Sequence, residues 1–458
     1  MSVYPVDASE IEKSSNESDF VFRYNKEMEA KSLRLLKQGV WLYFFLLIFE
    51  GALRKWFLPG LATPLLIIRD PLAVWILFMA SNKGIFAWNN YLIFMVVIGV
   101  VGMITAITMG HGNLWVAIFG ARILLIHFPL MFVIGRIFTR DDVLKMGKVT
   151  LWICIPMTIL IALQFYSPQS AWVNRAVGGD MGGAGFGGAL GFFRPPGTFS
   201  FTNGTALFYG FASSFIVYFS INPKGIPKAL LLAAAIGLIA AIPLSISRTV
   251  LFQVVLCLIF AMGAIVRKPK YLGRMIGIGI GVVLLLALLS KTQFFETATG
   301  VFTHRFDTAN EEEGGLEGTI IDRFLGGMIG EIGKSADQPF FGSGIGMSTN
   351  VGIMLLAGKQ DVLINDAEWG RIIGEMGALL GLSLIFVRIG VVVKIALASF
   401  KKLAKPDLLP WLLLSFGAPV ILQGQWAQPT ALGFSTLIGG LLIASLRPAE
   451  NKLNAEQT

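Results

Sequence analysis

Charge is what this sequence lacks most. Only 14% of its 458 residues are Asp, Glu, Lys or Arg, against about 25% in an ordinary soluble domain, which excludes a water-soluble globular chain. Cysteine is almost absent: Cys154 and Cys257 both fall in apolar runs, so neither a disulfide framework nor a zinc site is supported. Histidine is scarce too, and no Asp-x-Asp pair sits where it would hold a metal. Ten-residue segments of alternating hydropathy are missing, which argues against an outer-membrane barrel. The first 38 residues are polar and carry no short apolar core with a small-residue cleavage site, so no cleavable signal is expected. The net charge of +9 is spread over loops rather than gathered in one patch, which argues against nucleic acid as a partner.

What is present is hydrocarbon. The chain is 55% hydrophobic with a mean hydropathy of +0.70. Apolar runs of helix length recur throughout, each long enough to cross roughly 30 Å of lipid. The spacing predicts an all-α integral membrane protein of about twelve spans: 39–57, 61–80, 90–109, 115–136, 148–166, 198–220, 228–245, 248–266, 273–290, 371–394, 409–424 and 430–446. A polar tail, 1–38, and a short one, 447–458, then share the cytoplasmic side. The positive-inside rule agrees with this frame. Lys83, Arg136, Arg140, Lys145, Lys148, Lys224, Lys228, Arg267, Lys268, Lys270, Arg274, Lys401, Lys402, Lys405, Arg447 and Lys452 all fall on that side. The first hairpin fits least well, because Glu50, Arg54 and Lys55 lie close to hydrocarbon and face outward.

Two segments on the other side are long. Residues 167–197 are rich in glycine and end Phe193-Arg194-Pro195-Pro196-Gly197-Thr198; flexibility is expected over 178–188, while Arg194 is pinned at a helix mouth. The second, about 291–370, is the one long polar interval. Within it Ile320, Ile321, Phe324, Leu325, Met328, Ile329 and Ile332 share a helical face, which predicts a helix lying on the membrane surface. It continues through Gln338-Pro339-Phe340-Phe341-Gly342-Ser343-Gly344-Ile345-Gly346 and closes on Asn365-Asp366-Ala367-Glu368-Trp369-Gly370-Arg371.

This outward side collects Arg54, Arg122, Arg175, Arg194, Arg248, Arg305, Arg323 and Arg371, against the charge bias of the rest. A charge held in hydrocarbon costs at least about 2.5–3.5 kcal/mol, so each needs a partner. The bland account is snorkelling, or pairing with Asp307, Asp322 or Asp366. The functional account is a lipid-borne diphosphate, whose oxygens guanidinium groups grip with paired hydrogen bonds. Asp366 and Glu368 are then either helix N-terminal acids that cap backbone donors or bases that take a proton from a sugar hydroxyl. Arg69-Asp70 before Pro71 reads as an ion pair at a kink, His111 as a turn residue, and His304 as a solvated loop residue. Trp426 reads as an interfacial anchor rather than a sugar platform.

Four motifs resemble the O-antigen ligase/polymerase family, which includes Wzy-type polymerases. They are Phe193-Arg194-Pro195-Pro196-Gly197-Thr198-Phe199-Ser200, Ser247-Arg248-Thr249, Arg323 followed by Gln338-Pro339 and Gly342-Ser343-Gly344-Ile345-Gly346, and Glu375-Met376-Gly377-Ala378-Leu379-Leu380-Gly381, which is similar to E-x-G-x-x-x-G. The match covers about residues 190–385; the N-terminal spans agree only in hydropathy. The resemblance implies a GT-C-like helical fold with a large periplasmic catalytic loop (291–370) in the bacterial inner membrane. It implies metal-independent glycosyl transfer from undecaprenyl diphosphate-linked oligosaccharides, no cofactor, and a chain-length regulator or export complex as partner. Diphosphate binding maps onto Arg194, Arg248, Arg305 and Arg323, with Arg371 and Arg122 as further candidates. Ligases of the family carry histidine-asparagine about nine residues before E-x-G. Here Asp366-Ala367 stands in that place, which favours a polymerase using Glu368 or Asp366 over a ligase. A flippase or solute transporter is the rival from another class; it would use Arg122 and the kink at Arg69-Asp70-Pro71.

Overall fold

The computed structural model describes residues 8–267, 291–313, 339–357, 367–405 and 407–448, with scattered positions between 269 and 281 and at 330, 332 and 333. The expected span 273–290 and surface helix 320–332 lie largely outside the described residues, as do Arg323 and Asp366.

Among the described residues the regular elements are all helices. α1 (Ala8–Ala52) runs on through a π-turn, Leu53–Phe57, and two short turns at Pro59–Leu61 and α2 (Ala62–Leu65) lead to α3 (Arg69–Asn82). Then come α4 (Asn90–Thr108), α5 (Leu114–Arg122), a second π-turn at Ile123–His127, and α6 (Phe128–Ile137). α7 (Arg140–Tyr166), α8 (Thr202–Ile221), α9 (Lys228–Leu244) and α10 (Arg248–Arg267) follow. The rest is α11 (Gln293–Glu313), α12 (Asn350–Leu356), α13 (Glu368–Ala404), α14 (Leu409–Gln423) and α15 (Pro429–Ser445). Among the described residues, seven helices are long and apolar enough to cross a membrane, or eight if Pro59–Leu65 and Arg69–Asn82, bent by 41°, count as one broken span. α9, α14 and α15 are apolar but shorter. α8 and α15 are buried almost all round and form the centre of the bundle, as expected of helices that are apolar on every face.

Contacts between connections define the two ends of the bundle. At one end Lys37 pairs with Asp142 at 2.6 Å, Arg140 with Asp407 at 3.0 Å, and Arg136 donates to Ile85 O. At the other end Arg54 meets Ser200, Tyr166 meets Phe294, Asn203 meets Gln428, and His111 N donates to Ser343 O. The glycine-rich stretch is at this second end, and hydrogen bonds tie it down at several points over 178–188. Gly178 N donates to Arg54 O, Gly185 N to the Gln169 side chain, and Gly187 bridges Phe193. At Gly183 glycine serves close packing: its φ is +82°, and a Cβ would fall 2.7 Å from Gln169 Oε1.

The expected span 371–394 lies in α13, which is long and apolar enough to cross a membrane, but its first turns fold back. α13 breaks at Gly377 (φ 72°, ψ −178°). A Cβ on Gly381 would lie 3.0 Å from Ile373 Cα, and Glu368 reaches Arg388 at 2.8 Å. Residues on either side of Gly377 therefore touch at matching distances from the break, to within two positions, so 368–376 runs antiparallel to the helix that follows it. With 1.5 Å of rise per residue, Arg388 lies about 16 Å along that helix from the break. The loop 340–348 threads the corner: Ser343 N and Gly344 N donate to Gly374 O and Glu375 O. Gly342, Gly344 and Gly346 all have positive φ, and Cβ atoms there would lie 2.3–2.5 Å from neighbouring atoms.

Gly342→Ala and Gly377→Ala are each expected to destabilise by about 2–4 kcal/mol, from left-handed strain plus overpacking. Gly300→Ala, which meets nothing within 4 Å in α11, should be neutral or stabilising by up to about 1 kcal/mol. Thermal unfolding of the three purified variants in detergent checks the ranking.

Candidate functional site

Three groups of charged side chains lie at the glycine-rich end. The first holds three of the arginines expected to bind diphosphate. Arg194 sits where Pro195 and Pro196 fix the backbone, and its own N–H is tied to Phe186 O. Arg248 opens α10 two residues after Ile246, which takes φ 48°, a strained turn for a β-branched residue. Arg305 comes from α11, which packs on α9, and donates from Nη1 to Gly188 O at 3.1 Å. Gly188 in turn abuts Ile246, and Phe252 of α10 meets Phe306 of α11 with ring centroids 6.5 Å apart. Burial, then the neighbouring Arg305 and Arg248 guanidiniums, push the Arg194 pKa down. The Arg305–Gly188 bond and the Gly188–Ile246 contact bring α11, the glycine-rich stretch and the start of α10 together. Arg194 Nε has no hydrogen-bond partner and faces a small cavity of about 10 Å³ lined by Gln164, Asn174, Phe186 and Phe193, room for a single water.

The second group surrounds the α13 fold-back. Arg371 grips Glu368 through two parallel bonds of 2.8 and 2.9 Å and gives its third donor to Glu375 at 2.7 Å. Arg388 Nη2 donates to the same Glu368 oxygen that accepts from Trp426 N, at 2.8 and 3.3 Å. The Glu368 side chain is 0% exposed. Glu375 accepts from Gly346 N and Ser348 N, which fastens the glycine loop. Arg371 thus belongs to this closed set of carboxylates and not to the Arg194 group. Trp426 is not an anchor: it is 1% exposed, donates to Ser435 Oγ at 2.7 Å, and carries Arg388 3.5 Å from its ring centroid. An indole placed over a buried guanidinium supplies cation–π attraction, and that explains an inward tryptophan.

The third group lies between α1, α3 and α5. Arg69 and Asp70 do not pair with each other, because successive helical residues point apart. Arg69 pairs with Glu50 at 3.2 Å, which also meets Arg54 at 3.4 Å. Asp70 pairs instead with Arg122 at 2.5 Å and with His127 Nε2 at 2.9 Å, and Tyr43 closes the other side of that ring. Arg122 therefore also stands apart from the Arg194 group. His111 is a turn residue, as expected, and its ring contacts Ile345 O. His304 is exposed.

Sequence reasoning missed Arg388, Glu375 as a structural carboxylate, the pairing of Glu50 with Arg69 and Arg54, and the Tyr43–His127–Asp70 chain. Arg388 had a signal: a lone arginine in an otherwise apolar run has to be partnered. Among the described residues no three His, Cys, Asp or Glu side chains gather as metal ligands. No protein-family model matches the chain, and no curated protein matches it.

Glu368→Ala leaves the buried Arg388 without a carboxylate and Arg371 with Glu375 alone, and is expected to cost about 3–5 kcal/mol; Arg388→Met, which leaves Glu368 with Arg371, should cost less. Unfolding midpoints of the two single variants and the double variant should be clearly non-additive. Additive, sub-kilocalorie effects would mean that Glu368 is not held by this network.

Proposed function

We propose that the protein is a polysaccharide polymerase that joins undecaprenyl diphosphate-linked oligosaccharide repeats at the outer leaflet of a bacterial inner membrane. In this reading the chain crosses that membrane about twelve times in a GT-C-like arrangement, and the glycine-rich end faces the periplasm. One observation carries it: Arg194, Arg248 and Arg305, from three separate elements, come to one place beside a lipid-length apolar helix. Guanidinium groups from three elements offer several N–H donors to an anion with several oxygens. A diphosphate supplies that anion, and bidentate guanidinium contacts supply the grip.

The chemistry is a displacement at the donor's anomeric carbon. An acceptor hydroxyl attacks, the bond from that carbon to the diphosphate oxygen breaks, and the electron pair leaves with the diphosphate. The arginines stabilise the charge that grows there. The hydroxyl proton passes to a carboxylate. Glu368 is fully occupied by Arg371, Arg388 and Trp426 N, so the proposed acceptor of that proton is Asp366. Glu368 and Glu375 then hold the fold-back and the glycine loop in place.

Purified protein supplied with lipid-linked repeats should form polymer. Arg194→Gln, Arg248→Gln or Arg305→Gln should each slow this by about 10²–10³-fold, the usual effect of losing one donor to a developing oxyanion. Asp366→Asn should abolish it. Cells lacking the gene should accumulate single lipid-linked repeats, and normal-length polymer in such cells would reject the proposal. Long lipid-linked chains left untransferred would indicate a ligase, and flux of repeats in proteoliposomes without polymerisation would indicate a transporter.

A further inference from the structure

An amide buried in an apolar helix needs partners for both ends of its side chain. Gln164, in the last turn of α7, is such a residue: it is 2% exposed, and both ends are engaged. Its Oε1 accepts from Gly197 N at 2.8 Å, and its Nε2 donates to Gly197 O at 3.2 Å and to Val173 O at 2.9 Å. One side chain therefore grips Gly197 by its N–H and its carbonyl together. Lys55 Nζ donates to the same carbonyl at 2.6 Å. The seat admits only glycine: Gly197 has φ +58°, and a Cβ would lie 2.8 Å from Met157 Sδ. Its neighbours are tied as well. Thr198 Oγ1 donates to Ile48 O of α1, Thr205 Oγ1 of α8 donates to Pro195 O, and Phe199 N closes a turn on Pro196 O.

Arg194 is joined to this fixed point by Pro195 and Pro196 alone. Each proline locks one backbone angle, so the link is a short stiff rod. On its other side Arg194 is tied to Phe186 O through its own N–H. No hydrogen bond holds Arg194 Nε, so the aim of the guanidinium depends on where the backbone is held. Gln164 also lines the small cavity that Arg194 Nε faces, which places clamp and guanidinium side by side.

We infer that Gln164 is a positioning residue for the anion site at Arg194: it fixes Gly197, and the two prolines carry that fixed point to the guanidinium. This rests on the polymerase reading above, in which Arg194 holds the departing diphosphate. Gln164 acts through Arg194 and makes no contact with the reacting atoms. Placement is decisive in such a site, because a shift of about 1 Å in a group that stabilises the transition state can cost about 10²-fold in rate.

The test uses the full chain purified in detergent and supplied with lipid-linked repeats. Gln164→Met keeps the length of the side chain and removes its hydrogen bonds. It should lower kcat by about 10²-fold and leave KM little changed. The loss should disappear in an Arg194→Gln background, since a guanidinium already absent cannot be misaimed. Hydrogen–deuterium exchange should quicken at the 197–199 amides in Gln164→Met, with α8 and α10 protected as in the wild type. Pro196→Gly loosens the rod and keeps the clamp, so it should slow polymer formation while the Gly197 amide stays protected. A full rate in Gln164→Met or in Pro196→Gly, unchanged exchange at 197–199 in Gln164→Met, or losses that add in full to that of Arg194→Gln would overturn the inference and leave the polymerase reading standing. Polymer formation by Arg194→Gln at the wild-type rate would overturn the polymerase reading, and the inference with it. Pro196→Gly decides if Gln164→Met fails to fold.

Discussion

A guanidinium shut away from water must find its partners inside the protein, and most of this architecture follows from that requirement. Arginine cannot discharge itself as a buried lysine or carboxylate can. Each buried arginine therefore dictates which helices approach it. Arg388 draws Glu368 about 16 Å along α13 from the Gly377 break, and Arg69 draws Glu50 from α1 and the Pro429 carbonyl from α15. Helix ends far apart in sequence are tied together at one end of the bundle by these demands.

Glycine makes the close approaches possible. Gly342, Gly344 and Gly346 let the 340–348 loop pass through the corner of α13, and Gly377 lets the helix turn back on itself. The Glu375 carboxylate then fastens that loop by accepting two of its backbone N–H groups. The spacing of glycines and the glutamate in the two stretches has a physical cause: each stretch is the other's packing partner. The resemblance noted in the sequence rests partly on this interlock, which is architectural and carries no chemistry of its own.

Much of the fold was legible because lipid-length apolar runs leave little choice. The expected spans 90–109, 115–136, 198–220, 228–245, 409–424 and 430–446 each correspond to a helix within a few residues. What was not legible depended on pairing across the chain. Hydropathy sees 371–394 as one run and carries no sign that its first turns double back. Arg69-Asp70 looked like a pair because the residues are adjacent, yet helical geometry sends each to a different partner. The Arg194, Arg248 and Arg305 group was readable as a set of misfit charges, and its convergence was not. Trp426 was misread because an indole beside two glutamines resembles an interfacial residue until the guanidinium beneath it is known.

The doubling back of α13 also bears on how the chain is built. Residues 368–376 are too few to cross a bilayer and carry three charges, so a translocon has no reason to retain them in lipid. Only the helix beyond Gly377 can be inserted in the ordinary way. The shorter arm is held against that helix by the Glu368–Arg388 pair and by the buried Trp369, Ile372, Ile373 and Met376, and the 340–348 loop closes the bend.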